Sequence, residues 1–179
     1  LDLLRAGGGL PGPEGATKVA RYKSAGYTVQ RPLLLGAALA GAGDIVREAY
    51  TRIGLPLGEA FQLRDDVLGV FGDARVTGKP AGDDLREGKR TVLAARAMSL
   101  AGAQDRTLLL DGLGDRSLDE AQVSRIASIL EDSGAARQVE ELIDELVDES
   151  LSHLDAAGLD DPGAAMLREI ARAAVDRTA

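Results

Sequence analysis

Phe61-Gln62-Leu63-Arg64-Asp65-Asp66-Val67-Leu68-Gly69-Val70-Phe71 decides how the rest of the chain is read. At about 100° of rotation per residue, Gln62, Asp65, Asp66 and Gly69 fall in one narrow sector of a helix. Apart from Arg64, everything else around that circle is apolar. A helix that is apolar nearly all round is a buried helix, so its acidic stripe faces something other than bulk water. Two adjacent carboxylates in a confined space repel, and burying them unpaired is costly. A hard divalent cation lifts that cost, and magnesium in particular keeps waters and shares its shell with substrate phosphates. Gly69 leaves space for a ligand on the same face. The plainer alternative is a solvated pair, the ordinary fate of surface charge; the apolar surroundings here weigh against it.

Working outward, periodicity predicts helices on both sides. A Gly/Pro-rich stretch from Gly7 to Gly15 reads as a loop, followed by a helix from near Glu14 carrying Val19, Tyr22, Lys23 and Tyr27. Arg31-Pro32 marks a boundary, because the residue before proline avoids the helical region. A Leu/Ala helix then runs to about Ile53, with Gly54 as its stop, and the acidic helix occupies 56–71. Residues 72–87 form a polar loop, broken by three glycines and a proline. Helix resumes over 90–100. Ser117-Leu118-Asp119-Glu120 resembles a capping box and opens a helix to about Asp132. Residues 135–156 place Val139, Leu142, Ile143, Leu146, Val147, Leu151 and Leu154 on one stripe. Asp161-Pro162 starts a last helix. Nothing alternates with period two for long enough to be a strand, so the fold class is all-α.

Composition narrows the chemistry. The chain has 179 residues, 45% apolar and 28% charged, which suits one soluble domain with a sizeable core. A formal net charge of -8 excludes nucleic acid as the main partner, since a duplex binder needs a basic footprint. There is no cysteine, which rules out thiolate and disulfide chemistry and fits a reducing cytoplasm. The longest uncharged apolar stretch, from Pro32 to Gly43, is shorter than the roughly 20 residues a bilayer crossing requires. The chain begins with Leu1 inside a helical pattern (Leu1-Asp2-Leu3-Leu4), so an N-terminal part of a longer protein is expected to precede it.

Lysines supply the other half of a phosphate site. After the acidic helix come Gly78-Lys79-Pro80-Ala81-Gly82-Asp83-Asp84 and Gly88-Lys89. Glycines let backbone approach a ligand closely, and ammonium groups neutralise phosphate as point charges. Gly78-Lys79 is not a nucleotide-cradling loop, because the required spacing and the Lys-Ser/Thr ending are absent. A solvated loop lysine is the competing reading of Lys79 and Lys89. Upstream, Lys23-Ser24 lies on a helix beside Tyr22 and Tyr27, where snorkelling to solvent is the alternative. His153 reads as a surface residue, and the acids from Glu140 to Glu149 as a solvated helix face.

Taken in order, these pieces resemble the trans-isoprenyl diphosphate synthases, or polyprenyl synthetases. Phe61-Gln62-x-x-Asp65-Asp66 resembles the start of the family's second aspartate-rich motif. Gly78-Lys79-x-x-Gly82-x-Asp84 with Gly88-Lys89 is similar to the loop that follows it, and Lys23-Ser24 to the Lys-Thr pair one helix upstream. The resemblance is strong over residues 21–93 and loose beyond. It implies a helical bundle around a central cavity, of which this chain would be the C-terminal part of a single domain lacking the N-terminal helices. It also implies Mg2+-dependent condensation of isopentenyl diphosphate with an allylic diphosphate, giving a longer linear polyprenyl diphosphate.

Carried over by position, the resemblance implies metal ligation by Asp65, with Asp66 in support. It implies diphosphate contacts from Lys23, Lys79 and Lys89, and Gln62 and Ser24 facing the developing cation. Family members commonly pair as homodimers. Two departures stand out: Gly69 occupies the position where the motif usually ends in a third Asp, with Asp73 one turn further on, and the first aspartate-rich motif is not in this chain. A non-catalytic partner subunit of a prenyltransferase and a terpene cyclase of related fold are the alternatives.

Overall fold

The acidic helix is much longer than its periodicity predicts. In the computed structural model it runs unbroken over Asp44–Phe71, through both Gly54 and Pro56. The structure describes residues 12–159 and 161–175, with the side chains of 13, 18–24, 76, 77 and 161 outside that description. The helical reading of Leu1 to Leu4 therefore lies outside the described residues. Among those described, every regular element is helical and no strand occurs.

In chain order the helices are α1 (Pro13–Ala20), α2 (Arg31–Leu39), α3 (Asp44–Phe71), α4 (Ala74–Thr77), α5 (Asp83–Glu87), α6 (Val92–Leu100), α7 (Ala103–Gly112), α8 (Glu120–Asp132), α9 (Ala135–Ala156) and α10 (Asp161–Val175). Between α1 and α2, Arg21–Gln30 winds as a π-helix. The described residues fall into two compact units. One comprises 12–18 with 65–139, and the other 19–64 with the described part of 140–178.

In the second unit, three sequence expectations are corrected. Arg31-Pro32 marks a boundary of another kind than expected: the π-helix ends at Gln30 and α2 begins at Arg31, with Pro32 in its first turn, so Arg31 is itself helical. The Leu/Ala helix ends at Leu39, fourteen residues before the expected Ile53. Gly54 does not cap a helix, because its role is close packing: a Cβ there would lie 2.8 Å from Gln30 Cα. One turn on, a Cβ at Gly58 would lie 2.6 Å from the Ala25 carbonyl oxygen and 2.7 Å from its Cα. Glycine at both positions lets the long helix rest on the π-helical backbone.

Pro56 removes the amide that would bond the Arg52 carbonyl. At the next carbonyl along, Ile53, the hydroxyl of Ser150 donates at 3.0 Å, and Ser150 is itself buried. The local core joins Ile53, Leu154 and Ala164, with Tyr50, Leu151, Leu159 and Leu167 packed on it. Leu151 and Leu154 belong to the predicted apolar stripe of α9. Arg64, the one charge expected among the apolar positions, makes a bidentate bond to Glu140 at 2.7 Å for each oxygen. Its aliphatic stem is buried while its charge is matched. Glu140 is thereby taken out of the simple solvated face read from the sequence.

In the first unit, α6, α7 and α8 pack on one another. Buried Val92, Leu93, Ala97, Leu109, Ile126 and Ile129 supply much of its interior. Thr91 caps α6 by accepting from the Ala94 amide at 3.1 Å. The capping box of α8 sits two residues later than expected. Asp119 accepts from the Gln122 amide at 2.8 Å, and the Gln122 side chain accepts from the Asp119 amide at 2.9 Å. Ser117 instead closes a turn onto Asp115. Helix α7 carries no clean apolar stripe, and periodicity did not announce it.

Candidate functional site

The predicted polar loop is partly regular and firmly shaped. Asp73 caps α4, accepting from the Arg75 amide at 2.8 Å and pairing with its guanidinium, which holds the Asp73 carboxyl below its ordinary range. Gly82 and Gly88 bracket α5 with φ of 73° and 69°, left-handed values that favour glycine. A Cβ on Gly88 would also lie 2.8 Å from Gly114 Cα. Within the loop, Arg86 Nε donates to the Leu118 carbonyl at 3.1 Å, and the Gly114 amide donates to the Leu85 carbonyl at 2.9 Å.

This folding brings Lys89 to the acidic stripe. Its ammonium donates to Asp84 Oδ1 and lies 3.6 Å from Glu87 Oε2. Burial alone pulls the Lys89 ammonium down. The hydrogen bond and charge of Asp84, with the charges of Glu87 and Asp65, outweigh that, so its pKa is raised above the ordinary value. Asp84 is buried at 4% exposure and lies directly over Gly69, where a Cβ would collide with its carboxylate.

The two predicted metal residues divide. Asp66 is buried, at 7% exposure, as the reading of a carboxylate walled in by apolar side chains requires. Asp65 is exposed, which corrects that reading for half of the pair. The physical reason is rotation: adjacent positions on a helix sit about 100° apart, so one can turn into the interior while the other faces out. Gln62 is half-buried one turn earlier on the same helix, and Lys79 is exposed on the turn between α4 and α5. The side chains of Lys23 and Ser24 lie outside the described residues. His153, read as a surface residue, is 35% exposed and 3.7 Å from Glu149. It lines a shallow pocket of about 200 Å³ with Ile45, Ala49 and Arg52, at the opposite end of α3 from the acidic stripe.

Sequence reasoning named Asp84 only as part of a motif and missed its position against Gly69. The signal was present: the stripe lacks a side chain at 69, and a carboxylate stands five residues before Lys89. It missed Glu59 as well, a carboxylate at 2% exposure on the same long helix.

Among the described residues, no group of three or more His, Cys, Asp and Glu side chains is arranged to hold a metal ion. A protein-only cage is therefore not what these residues offer. An exposed Asp65 carboxylate beside a buried Asp66 is instead a pair of hard oxygen donors. It fits a cation such as magnesium, which takes one or two carboxylates and completes its shell with waters and substrate phosphates.

Comparison with known proteins fits this geometry. The family model for polyprenyl synthetase matches residues 14–130. A (2E,6E)-farnesyl diphosphate synthase of Mycobacterium tuberculosis is 34% identical over 148 residues, covering 81% of this chain and 41% of that protein. A geranylfarnesyl diphosphate synthase of Aeropyrum pernix is 42% identical over 110 residues, 62% of this chain and 33% of that one. A crystal structure of geranylgeranyl pyrophosphate synthase from Corynebacterium glutamicum, complexed with isoprenyl diphosphate and magnesium, superposes with a TM-score of 0.92 at 40% identity. That match covers 99% of this chain and 50% of the other. The chain thus spans half or less of the length of these relatives. Among the described residues no helix is long and apolar enough to cross a membrane. With the match extending over most of its length and the acidic helix and lysine loop inside the matched span, the chain belongs to the polyprenyl synthetase family.

Proposed function

We propose that this chain is the C-terminal part of a single-domain prenyltransferase that condenses isopentenyl diphosphate with an allylic diphosphate to give a longer linear polyprenyl diphosphate. The observation that carries the reading is the juxtaposition, on one helix and its following loop, of Asp65 and Asp66 with a lysine held ready by Asp84. Carboxylates and ammonium groups side by side serve a ligand that is itself a metal-bound polyanion.

In this reading Asp65 holds magnesium directly, and Asp66, buried behind it, orients that shell. Bound magnesium would neutralise charge developing on the departing diphosphate, as metal ions do at phosphoryl oxygens. Lys23, Lys79 and Lys89 bind the diphosphate of the allylic substrate and hold it in place. Lys89 is charged at neutral pH, as an ordinary lysine is, and Asp84 holds its ammonium in place. Gln62 and the hydroxyl and carbonyl oxygens of Ser24 face the carbon on which positive charge develops. Stabilising charge where it develops is the main catalytic device.

One metal station of two lies in these 179 residues, so the chain alone turns over no substrate, while the protein containing the family's first aspartate-rich motif does. The working protein is a cytoplasmic homodimer. Exposed Leu35, Leu39 and Ile45, at 62, 82 and 83%, support a need for packing partners. The test is transfer of labelled isopentenyl diphosphate by the full-length protein. Linear, diphosphate-terminated products are expected, and their formation should collapse in Asp65→Ala. Undiminished turnover in that variant overturns the reading, and cyclised hydrocarbon as the product would replace it with a terpene cyclase.

A further inference from the structure

Helix α2 has one face with no neighbour among the described residues. Pro32, Leu35, Gly36 and Leu39 share a sector of about 100° on it, and all four are exposed, Leu35 at 62% and Leu39 at 82%. On the opposite side Ala37 is buried, and the run 21–39 rests on α3 through Ala25 and Gln30. No charged residue occurs over 32–43. Leucines this open on an uncharged face mark a surface that something covers.

Gly36 indicates the shape of the cover. A glycine inside a helix costs roughly 1 kcal/mol against alanine. Gly54 and Gly58 meet backbone at close range, but among the described residues nothing lies within 4 Å of a Cβ placed on Gly36. Its backbone does not require glycine either, because its φ is not positive. Positions 32, 35, 36 and 39 stand at i, i+3, i+4 and i+7, the four-residue frame that receives one side chain of a facing helix. Glycine deepens that hole, and the two leucines wall it.

We infer that this hole seats a helix from the N-terminal half of the same polypeptide, which closes against α2 at Gly36. The inference rests on the reading of this chain as the C-terminal part of a single domain. The Corynebacterium glutamicum structure that superposes on 99% of this chain is matched over only 50% of its own length. In that reading about as many residues again share one core with these. Helix α2 lies against the helix of the acidic stripe, so a cover on its outer face stands one helix away from the site that the other half completes.

Two measurements on the full-length protein test this. Gly36→Leu should lower the melting temperature by roughly 5 °C, because it fills the hole that the facing side chain occupies. On an uncovered helix the same change is neutral or stabilising, and that result overturns the proposal. The second measurement leaves the sequence unchanged and so decides even where Gly36→Leu fails to fold. Photo-leucine incorporated in place of leucine should, on irradiation, link position 39 to a peptide lying before Leu1, in a product of monomer mass. Buried Leu109 is the internal control for cross-linking.

A link from position 39 in a product of dimer mass assigns the face to a second copy and overturns the intrachain contact. Linking at Leu109 with none at position 39 leaves the face open and overturns it as well. A protein that forms the monomer-mass link but transfers no prenyl group sinks the proposed function and leaves the docking standing; turnover without the link does the reverse.

Discussion

Two stretches of the same 28-residue helix use glycine in opposite ways. Over its earlier turns, Gly54 and Gly58 admit the backbone of the π-helix, and nothing polar is at stake beyond packing. Near its end, Gly69 admits the carboxylate of Asp84, which in turn holds Lys89. A backbone cannot move without unwinding its element, whereas a side chain can be shortened by substitution on the other side. A side chain at either earlier glycine would therefore press on backbone, while one at the later glycine would press on a single side chain. A glycine in a helix is only interpretable once what presses against it is known.

The largest effect expected is at Gly58. A valine there meets the Ala25 carbonyl and Cα head-on, so Gly58→Val should cost about 3 kcal/mol or more. Circular dichroism should show melting roughly 10 °C lower. Should Gly58→Val prove milder than Gly69→Ala, the contrast between backbone and side-chain neighbours is broken.

Asp65→Ala addresses the chemical end of the helix. In the full-length protein it should lower turnover by about 10²-fold or more, yet, being exposed, leave the melting temperature within about 2 °C of wild type, as surface substitutions do. Loss of both activity and stability would instead make Asp65 part of the packing.

Arg64→Ala leaves Glu140, 41% exposed, without its bidentate partner and should cost about 1–2 kcal/mol. Arg64→Lys should recover little, since an ammonium cannot make the fork. Ser150→Ala should cost about 1 kcal/mol by leaving the Ile53 carbonyl without its hydroxyl donor beside Pro56.

The smallest effect is the pH dependence of Lys89. Its folded pKa is raised above the ordinary value of 10.5, so the contribution is fully present below the unfolded value and is lost as pH rises through the folded one. The stability difference between wild type and Lys89→Met should stay flat from neutrality to about pH 9 and narrow above about pH 10.5. It should be small throughout, because the ammonium is 38% exposed and screened by solvent.

The all-α class was legible because 3.6-residue periodicity survives in long amphipathic runs such as Ala135–Ala156, which the structure reproduces residue for residue. Exact starts were less legible: helices expected from Arg90 and from a Ser117 box begin instead after the caps Thr91 and Asp119, because which hydroxyl or carboxylate meets a free amide is settled by the turn before the helix. Gly54 and Pro56 misled because local propensity favours a stop, and tertiary packing overrode it. At the site, the adjacent aspartates and the lysine loop stood out as chemistry. The meeting of Gly69 and Asp84 did not, since it pairs positions fifteen residues apart through a turn whose shape only the folded chain defines.

That turn has a consequence for how a ligand would be received. Residues 82–89 are pinned by amide bonds from Leu85 and Arg86 to Gly82, from Lys89 to Asp84 and from Gly114 to Leu85. Conformational entropy at Lys89 is thus surrendered when the protein folds, so an incoming anion need not immobilise the loop to be gripped by it. The segment would thus meet a ligand as a fixed jaw, its shape held by its own backbone hydrogen bonds.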